Sequence, residues 1–429
     1  MSKKIIVVLL TLTPFIADAQ LKGILNKVKN KVENQVENRV DKKVDKQIEK
    51  TLDEIEGKNT STPAAKPAAD EANVAEPETG IKTFSKYDFI PGEKILYGDD
   101  FGQDAIGELP LDWNTGGKGE VVTINTFPGK WLRLYQNALY LTANKSEFTK
   151  NFTVEFDLIL QLKNNGYTFP LMSFGILSSG EEKPNDNEFL NMFYRYQAAE
   201  VMIRPSMNGA SYATLTTHLD RARYFQSQDQ KLSDLDKTYS KVSHISMQVQ
   251  ETRLRVWLNG VKIFDIPKAL PTEYIFNQLF FKIHSSAYKD HEIGFMIGNL
   301  KVATGIPDTR HKLIEEGKFS TTGILFDYQS AAIKPESYAV LKDIATVLKD
   351  NPTIKVKILG HTSSDGDDKA NMELSRQRAY AVKEMLATEF SIDASRLETE
   401  GKGETTPIAD NKTKEGKIAN RRVEFVKQG

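Results

Sequence analysis

The chain has 429 residues, with 57 Lys and Arg against 58 Asp and Glu, for a formal net charge of −1. It contains no cysteine, which excludes disulfides, thiolate metal sites and a lipidated cysteine within it. A charge near zero without a basic stripe gives no indication of nucleic acid as a partner. Met1-Ser2-Lys3-Lys4 is a basic start, and Ile5 to Ile16 is an apolar run shorter than the ~20 residues of a membrane span. With Ala17-Asp18-Ala19 as a small-x-small cleavage site, residues 1–19 read as a secretory signal peptide and Gln20 as the mature start. In residues 20–57, Val28, Val32, Val36, Val40, Val44, Ile48 and Leu52 recur at every fourth position among helix-forming polar residues. At ~3.6 residues per turn, a step of four carries the apolar stripe ~40° around the axis each time. A charged helical stalk is predicted, either solvated or self-associating. Residues 58–83 are rich in Pro, Ala, Thr and Glu, which predicts a disordered linker.

Residues 84–308 are long enough for one substantial domain. Trp131–Tyr135, Phe152–Leu160 and His244–Val249 alternate apolar and polar residues, as half-buried strands do. Arg253–Leu258 and Val261–Ile266 flank Asn259-Gly260, a strong type I′ hairpin signal. Sustained helical periodicity is scarce, so an antiparallel β-sandwich is expected. A transmembrane barrel would need ~10-residue strands with a lipid-facing apolar row; the short strands and polar loops, such as 178–187, favour a water-soluble sandwich. The Asp99-Asp100-Phe101 opening, the Asn151–Asp157 strand and the Leu258-Asn259-Gly260 hairpin resemble the concanavalin A-like, laminin G-type jelly roll. The resemblance implies a fold, and for many members a glycan ligand. Asp99, Asp100 and Asp104 offer oxygen ligands of the kind Ca²⁺ takes, but acidic loop residues are common, and no metal or cofactor is assigned. Trp113, Trp131 and Trp257 fit either a sugar platform or the core. The six histidines have no metal-ligand spacing, and neither a Gly-x-Ser-x-Gly elbow nor a phosphate loop occurs.

Residues 309–429 have a different pattern. Ile324–Tyr328 is an apolar and aromatic run that reads as a strand. Pro335 marks the first turn of a helix, in which Val340, Leu341, Ile344, Val347 and Leu348 repeat at helical spacing. Asn351-Pro352 ends it. Ile354, Val356 and Ile358 alternate as a second strand, and Gly360 opens a polar loop. A second helix is predicted from about Asn371 to Phe390, with Leu374, Ala379, Val382, Met385 and Leu386 on its apolar face. Leu397–Gly401 and Val423–Val426 supply two more strands. The expectation is a small α/β (α+β) domain with helices over a sheet. Its loop 362–368 holds Asp365, Asp367 and Asp368, and Arg378 lies two turns into the next helix. A carboxylate and an Arg fork suit a ligand carrying ammonium and carboxylate on one carbon. The same residues also suit a solvated turn and a surface ion pair.

Gly360-His361-Thr362-Ser363, Asn371-x-x-Leu374-Ser375-x-x-Arg378-Ala379 and Asn420-Arg421-Arg422 occur in the order and spacing that resemble the OmpA-like peptidoglycan-binding domain. The resemblance covers roughly residues 318–429 and implies an anchor to the cell wall, not an enzyme. It implies that Arg378 contacts the carboxylate of diaminopimelate in the stem peptide. The family's Asp for the ammonium falls at Ser363, which is neutral, and Asp365 is the substitute two residues on. Thr362, Asn371 and Leu374 match positions that shape the pocket, and Phe326 matches a position near the ligand. One arginine of the Asn-Arg-Arg motif belongs near the site, and Arg422 is taken as that one.

The reading is a non-catalytic envelope protein, exported to the periplasm and associated with outer membrane and wall. It anchors to peptidoglycan and presents the sandwich to a glycan or an envelope protein. Two alternatives stand: a wall-localised carbohydrate-active enzyme in the sandwich, which would need a carboxylate pair ~5–5.5 Å apart if retaining, and a structural protein that self-associates through its stalk.

Overall fold

Alternating apolar residues build sixteen strands between Lys94 and Thr304, in two eight-stranded sheets. The computed structural model describes residues 87–142, 146–183 and 186–428, all within one compact unit, Lys82–Gly429. The expected signal peptide, stalk and linker lie outside the described residues. The first sheet runs in the order Val261–Ile266, Arg253–Leu258, Val242–Gln250, Asn151–Gln161, Gly294–Thr304, Lys130–Leu134, Gly119–Thr123, with Lys94–Asp99 also pairing to Gly294–Thr304. Gln197–Arg204, Met172–Ser178 and Gln278–Ile283 form the middle of the second. Neighbouring strands within both sheets are antiparallel.

The two sheets close over a shared apolar core. Phe156 of the first sheet meets Phe174 and Phe281 of the second edge-on, with ring centroids 5.1 and 5.2 Å apart. Each such ring contributes about 1.5–3 kcal/mol through burial. The interior is filled by side chains. Trp113, Trp131 and Trp257 are 5%, 4% and 1% exposed, so all three serve the packing and none presents an open face to a sugar. The hairpin turn has φ of 49° at Asn259 and 78° at Gly260, the two left-handed residues of a type I′ turn. Leu258 pairs with Val261 directly across it.

The C-terminal sheet has the order Lys318–Thr321, Val423–Gln428, Lys355–Gly360, Leu397–Gly401. Only the last pair is parallel, as expected for strands joined by a crossover helix. That helix is Asp368–Thr388, and Tyr338–Asp350 packs beside it. Their apolar faces meet the sheet through Leu341, Ile344, Leu348, Val382 and Leu386, against Val356, Ile358 and Phe425. Gly360 and Gly401 pair across the parallel strands. A Cβ on Gly360 would stand 2.1 Å from the Ser375 carbonyl oxygen, so the helix rests directly on backbone there.

Three expectations need correction. The run Ile324–Tyr328 is not a strand; the edge strand is Lys318–Thr321, and only Phe326 makes a lone bridge, to Ile333. The reason is local: the Ser337 hydroxyl donates to the Leu325 carbonyl and accepts from the Leu325 N–H, and Asp327 N–H bonds to Ala332. The backbone is thus satisfied by a turn. Second, the long helix begins at Asp368, three residues early, because the Asp367 side chain caps it by accepting from Ala370 N–H at 3.0 Å. Third, two short polar helices went unread, Thr309–Ile314 and Lys414–Asn420. Each is held by a side-chain cap, Asp308 and Thr413 respectively.

The two domains are in contact. Phe89 packs edge-on against Trp257 at 5.2 Å, while the adjacent Ile90 packs against the C-terminal core. Lys334 of the C-terminal domain reaches Asp157 of the first sheet at 3.3 Å. Asp157 belongs to a buried ionic cluster with His244, Glu155 and Lys301.

Candidate functional site

The strand Lys355–Gly360 delivers the loop 361–367 to the start of the helix Asp368–Thr388. His361, Thr362 and Ser363 are buried, and Ser364 to Asp367 are exposed. The loop is pinned from several sides. Thr362 N–H bonds to Gly403 O at 2.9 Å, and His361 N–H to Arg422 O at 3.0 Å. The Asn371 amide donates to the Ser363 and Asp365 carbonyls and to Glu404 Oε2. Asn371 therefore staples the loop shut over the helix start. The Thr362 hydroxyl is buried without a hydrogen-bond partner.

The three loop carboxylates have different roles. Asp367 caps the helix, and Asp368 lies exposed in its first turn, favourably placed for the helix dipole. Asp365 accepts from the Ser363 hydroxyl at 2.9 Å. It also pairs with Lys417 and lies 3.6 Å from Arg421 Nη1.

Arg378 follows half-buried Leu374 by one turn, so the two share a face. Its Nε donates to the Ser330 carbonyl at 2.9 Å, and its guanidinium lies over the Phe326 ring, 4.9 Å from the centroid. Burial, with the nearby charge of Arg421, pushes its pKa down to about 10, so it stays protonated at neutral pH. No carboxylate pairs with it among the described residues. A partly desolvated guanidinium with an aromatic floor and no carboxylate partner among the described residues is a ready donor to a ligand carboxylate.

Arg422 is placed differently from the expectation. It is 5% exposed, turned into the fold, with Nη2 on the Thr406 carbonyl at 3.1 Å and 3.5 Å from Glu424. It shares this inner layer with His361, whose pKa burial and Arg422 depress to about 4. Arg421 is the arginine that faces the loop. Arg421 closes the helix Lys414–Asn420 with φ −77° and ψ 79°, and Arg422 N–H turns back onto the Asn420 carbonyl at 3.0 Å; the motif does not say which arginine this turn leaves facing the loop. Asn420 is buried and holds the 408–411 loop through Ile408 N–H and Ala409 N–H.

The structure thus gathers Phe326 with Arg378, and Ser363 with Asp365 and Asn371. Arg421 lies 3.6 Å from Asp365, and its charge acts on Arg378. Lys417 was not singled out from the sequence, and Arg421 entered only as the other arginine of the Asn-Arg-Arg motif. Their four-residue spacing is the signal, but it is readable only once Lys414–Asn420 is known to be a helix. The carboxylates Asp99, Asp100 and Asp104, to which no metal was assigned, are ion-paired: Asp99 and Asp104 with Lys414 at 2.9 and 2.7 Å, and Asp100 with Arg421 at 2.7 Å. Among the described residues no cluster of His, Asp and Glu is arranged to hold a metal.

Fold and site together define a small α/β domain attached to a β-sandwich. Residues 325–421 match the model of the OmpA family, and the C-terminal domain is an OmpA-like domain. The chain is 46% identical over 102 residues to the probable lipoprotein YiaD of Escherichia coli strain K12, covering 24% of this chain and 46% of that one. It is 41% identical over 101 residues to outer membrane porin F of Pseudomonas aeruginosa, covering 24% and 29%. It is 38% identical over 103 residues to the peptidoglycan-binding protein ArfA of Mycobacterium bovis, covering 24% and 31%. The chain spans less than half the length of each of these relatives, and the family match leaves the sandwich outside it. No helix among the described residues is long and apolar enough to cross a membrane.

Proposed function

We propose that this is a non-catalytic cell-envelope protein, exported across the inner membrane, that holds peptidoglycan through its OmpA-like domain. The ligand is the diaminopimelate-containing stem peptide. Arg378 takes the carboxylate, and Asp365, brought beside Ser363, takes the ammonium. Phe326, Thr362, Asn371 and Leu374 shape the pocket, and Arg422 supports the loop from behind through the His361 layer. The observation that carries this reading is Arg378 itself, stacked on Phe326 and lacking a carboxylate partner among the described residues. The name of ArfA, a peptidoglycan-binding protein, supports it. The sandwich, read as a concanavalin A-like jelly roll, presents a surface to a glycan or an envelope protein. The buried carboxylates Glu155 and Asp157 are both held by cations, which favours an adaptor over an enzyme at that place.

The test is a pull-down of the full mature chain on purified diaminopimelate-containing peptidoglycan. Wild type should sediment with the sacculi, and a chain ending before residue 309 should not. Equal sedimentation of both would move the wall contact out of the C-terminal domain.

A further inference from the structure

Asp100 follows the sandwich strand Lys94–Asp99 and reaches across to the OmpA-like domain. Its Oδ2 stands 2.7 Å from Arg421 Nη2, while Oδ1 accepts from Gly102 N–H at 3.0 Å. The surrounding contacts make this a fixed arrangement. Lys414 is clamped between Asp99 and Asp104 at 2.9 and 2.7 Å. Ile418 packs so closely over Gly98 that an added Cβ would stand 2.2 Å from it. The loop 99–104 therefore grips the helix Lys414–Asn420, and Arg421 is the next residue.

The consequence concerns charge at the wall site. Arg421 is shared by Asp100 at 2.7 Å and Asp365 at 3.6 Å, whereas no carboxylate pairs with Arg378 among the described residues. Burial and, after it, the Arg421 charge hold the Arg378 pKa down, and of the two guanidiniums Arg378 is the one left for an incoming carboxylate. We infer that Asp100, a sandwich residue, is a specificity-determining residue of the wall site. By occupying Arg421 it limits the site to one carboxylate, so a ligand centre with one carboxylate and one ammonium is preferred over a dicarboxylate. This rests on the peptidoglycan-binding reading and adds to it a residue from the other domain.

The test is competition against the full chain's pull-down on diaminopimelate-containing peptidoglycan. The competitors are free diaminopimelate and pentane-1,1,5,5-tetracarboxylate, in which a second carboxylate replaces each ammonium. Wild type should be displaced better by diaminopimelate. Asp100→Asn retains an oxygen for Gly102 N–H but removes the charge that holds Arg421 at 2.7 Å, leaving it only the longer contact to Asp365. The tetracarboxylate should then compete about tenfold better than against wild type, with diaminopimelate little changed, as expected for one gained charge-assisted contact. Asp104→Asn loosens the grip on Lys414 but leaves Asp100 on Arg421, and should keep the wild-type preference. An unchanged preference in Asp100→Asn, while Arg378→Ala loses the wall, would overturn the inference and leave the wall site standing. The same narrowing in Asp104→Asn would also overturn it, since docking and not the Asp100 charge would then set the preference. Arg378→Ala chains that still bind sacculi would remove the wall reading, and the inference with it.

Discussion

The Ser363 hydroxyl donates to the Asp365 carboxylate at 2.9 Å. A neutral residue at the family's acidic position thus holds a carboxylate from two residues further along the loop. The charge needed for an ammonium is present beside the expected place, carried on a different Cα. Lys417 and Arg421 balance it in the unbound protein.

Arg378 governs the first expected outcome. Arg378→Ala should weaken peptidoglycan sedimentation by about ten- to a hundredfold, the effect of losing one charge-assisted partner. The melting temperature should also fall, because the side chain holds Ser330 and covers Phe326. Arg378→Lys keeps a point charge without the planar fork and should lie between the two. Full binding by Arg378→Ala would end the carried-over site.

Moving the loop charge gives a second test. Ser363 is 4% exposed and already touches the exposed Asp365, so Ser363→Asp alone would set a second, buried carboxylate against it. One would be pushed toward its protonated form, and the variant should melt lower than wild type and bind no better. The exchange Ser363→Asp with Asp365→Ser restores a single charge and should recover binding. Asp365→Asn should weaken binding. If Asp365→Asn binds normally while Arg378→Ala fails, the ammonium contact lies elsewhere.

Two histidines predict opposite pH effects on stability. Burial opposes the charge of His244, but Asp157 and Glu155 outweigh it and hold the pKa up at about 9. That stabilisation is complete below about pH 6.5 and is lost as pH rises through about pH 9. His361 is held down at about 4 mainly by burial. The unfolded chain takes up that proton first as pH falls below about 6.5, so stability declines on the acid side. Thermal melts should show a falling transition temperature between about pH 6.5 and about pH 9, flattened by His244→Gln. A transition temperature that rose through this window in wild type, or fell equally in the variant, would contradict the assignment.

Close packing supplies a fourth prediction. A Cβ on Gly401 would stand 2.5 Å from Arg376 N, and on Gly360 2.1 Å from Ser375 O. Gly360→Ala should therefore destabilise by about 1–3 kcal/mol, the range for overpacking. It should also shift the helix turn that carries Arg378 and so weaken wall binding. Calorimetry with an unchanged transition would show that the helix can give way at no cost.

Much of the architecture was legible because its signals are short-range. Alternation along Asn151–Gln161 and Val242–Gln250, the Asn259-Gly260 turn and the helical repeat in Tyr338–Asp350 each depend on residues close in sequence. The spacing of Ser363, Asn371 and Arg378 likewise places the loop beside the helix start without further information. Tertiary structure decided what depends on partners distant in the chain. It selected Lys318–Thr321 over the more apolar Ile324–Tyr328 as edge strand, because Ser337 satisfies the latter's backbone. It turned Arg422 inward and Arg421 outward. It also joined Asp100 to Arg421 across 321 residues, which converted an acidic loop with the look of a cation site into the counter-charge of an arginine beside the candidate site. An ion pair leaves no local pattern in either segment, since each residue alone reads as a solvated surface charge.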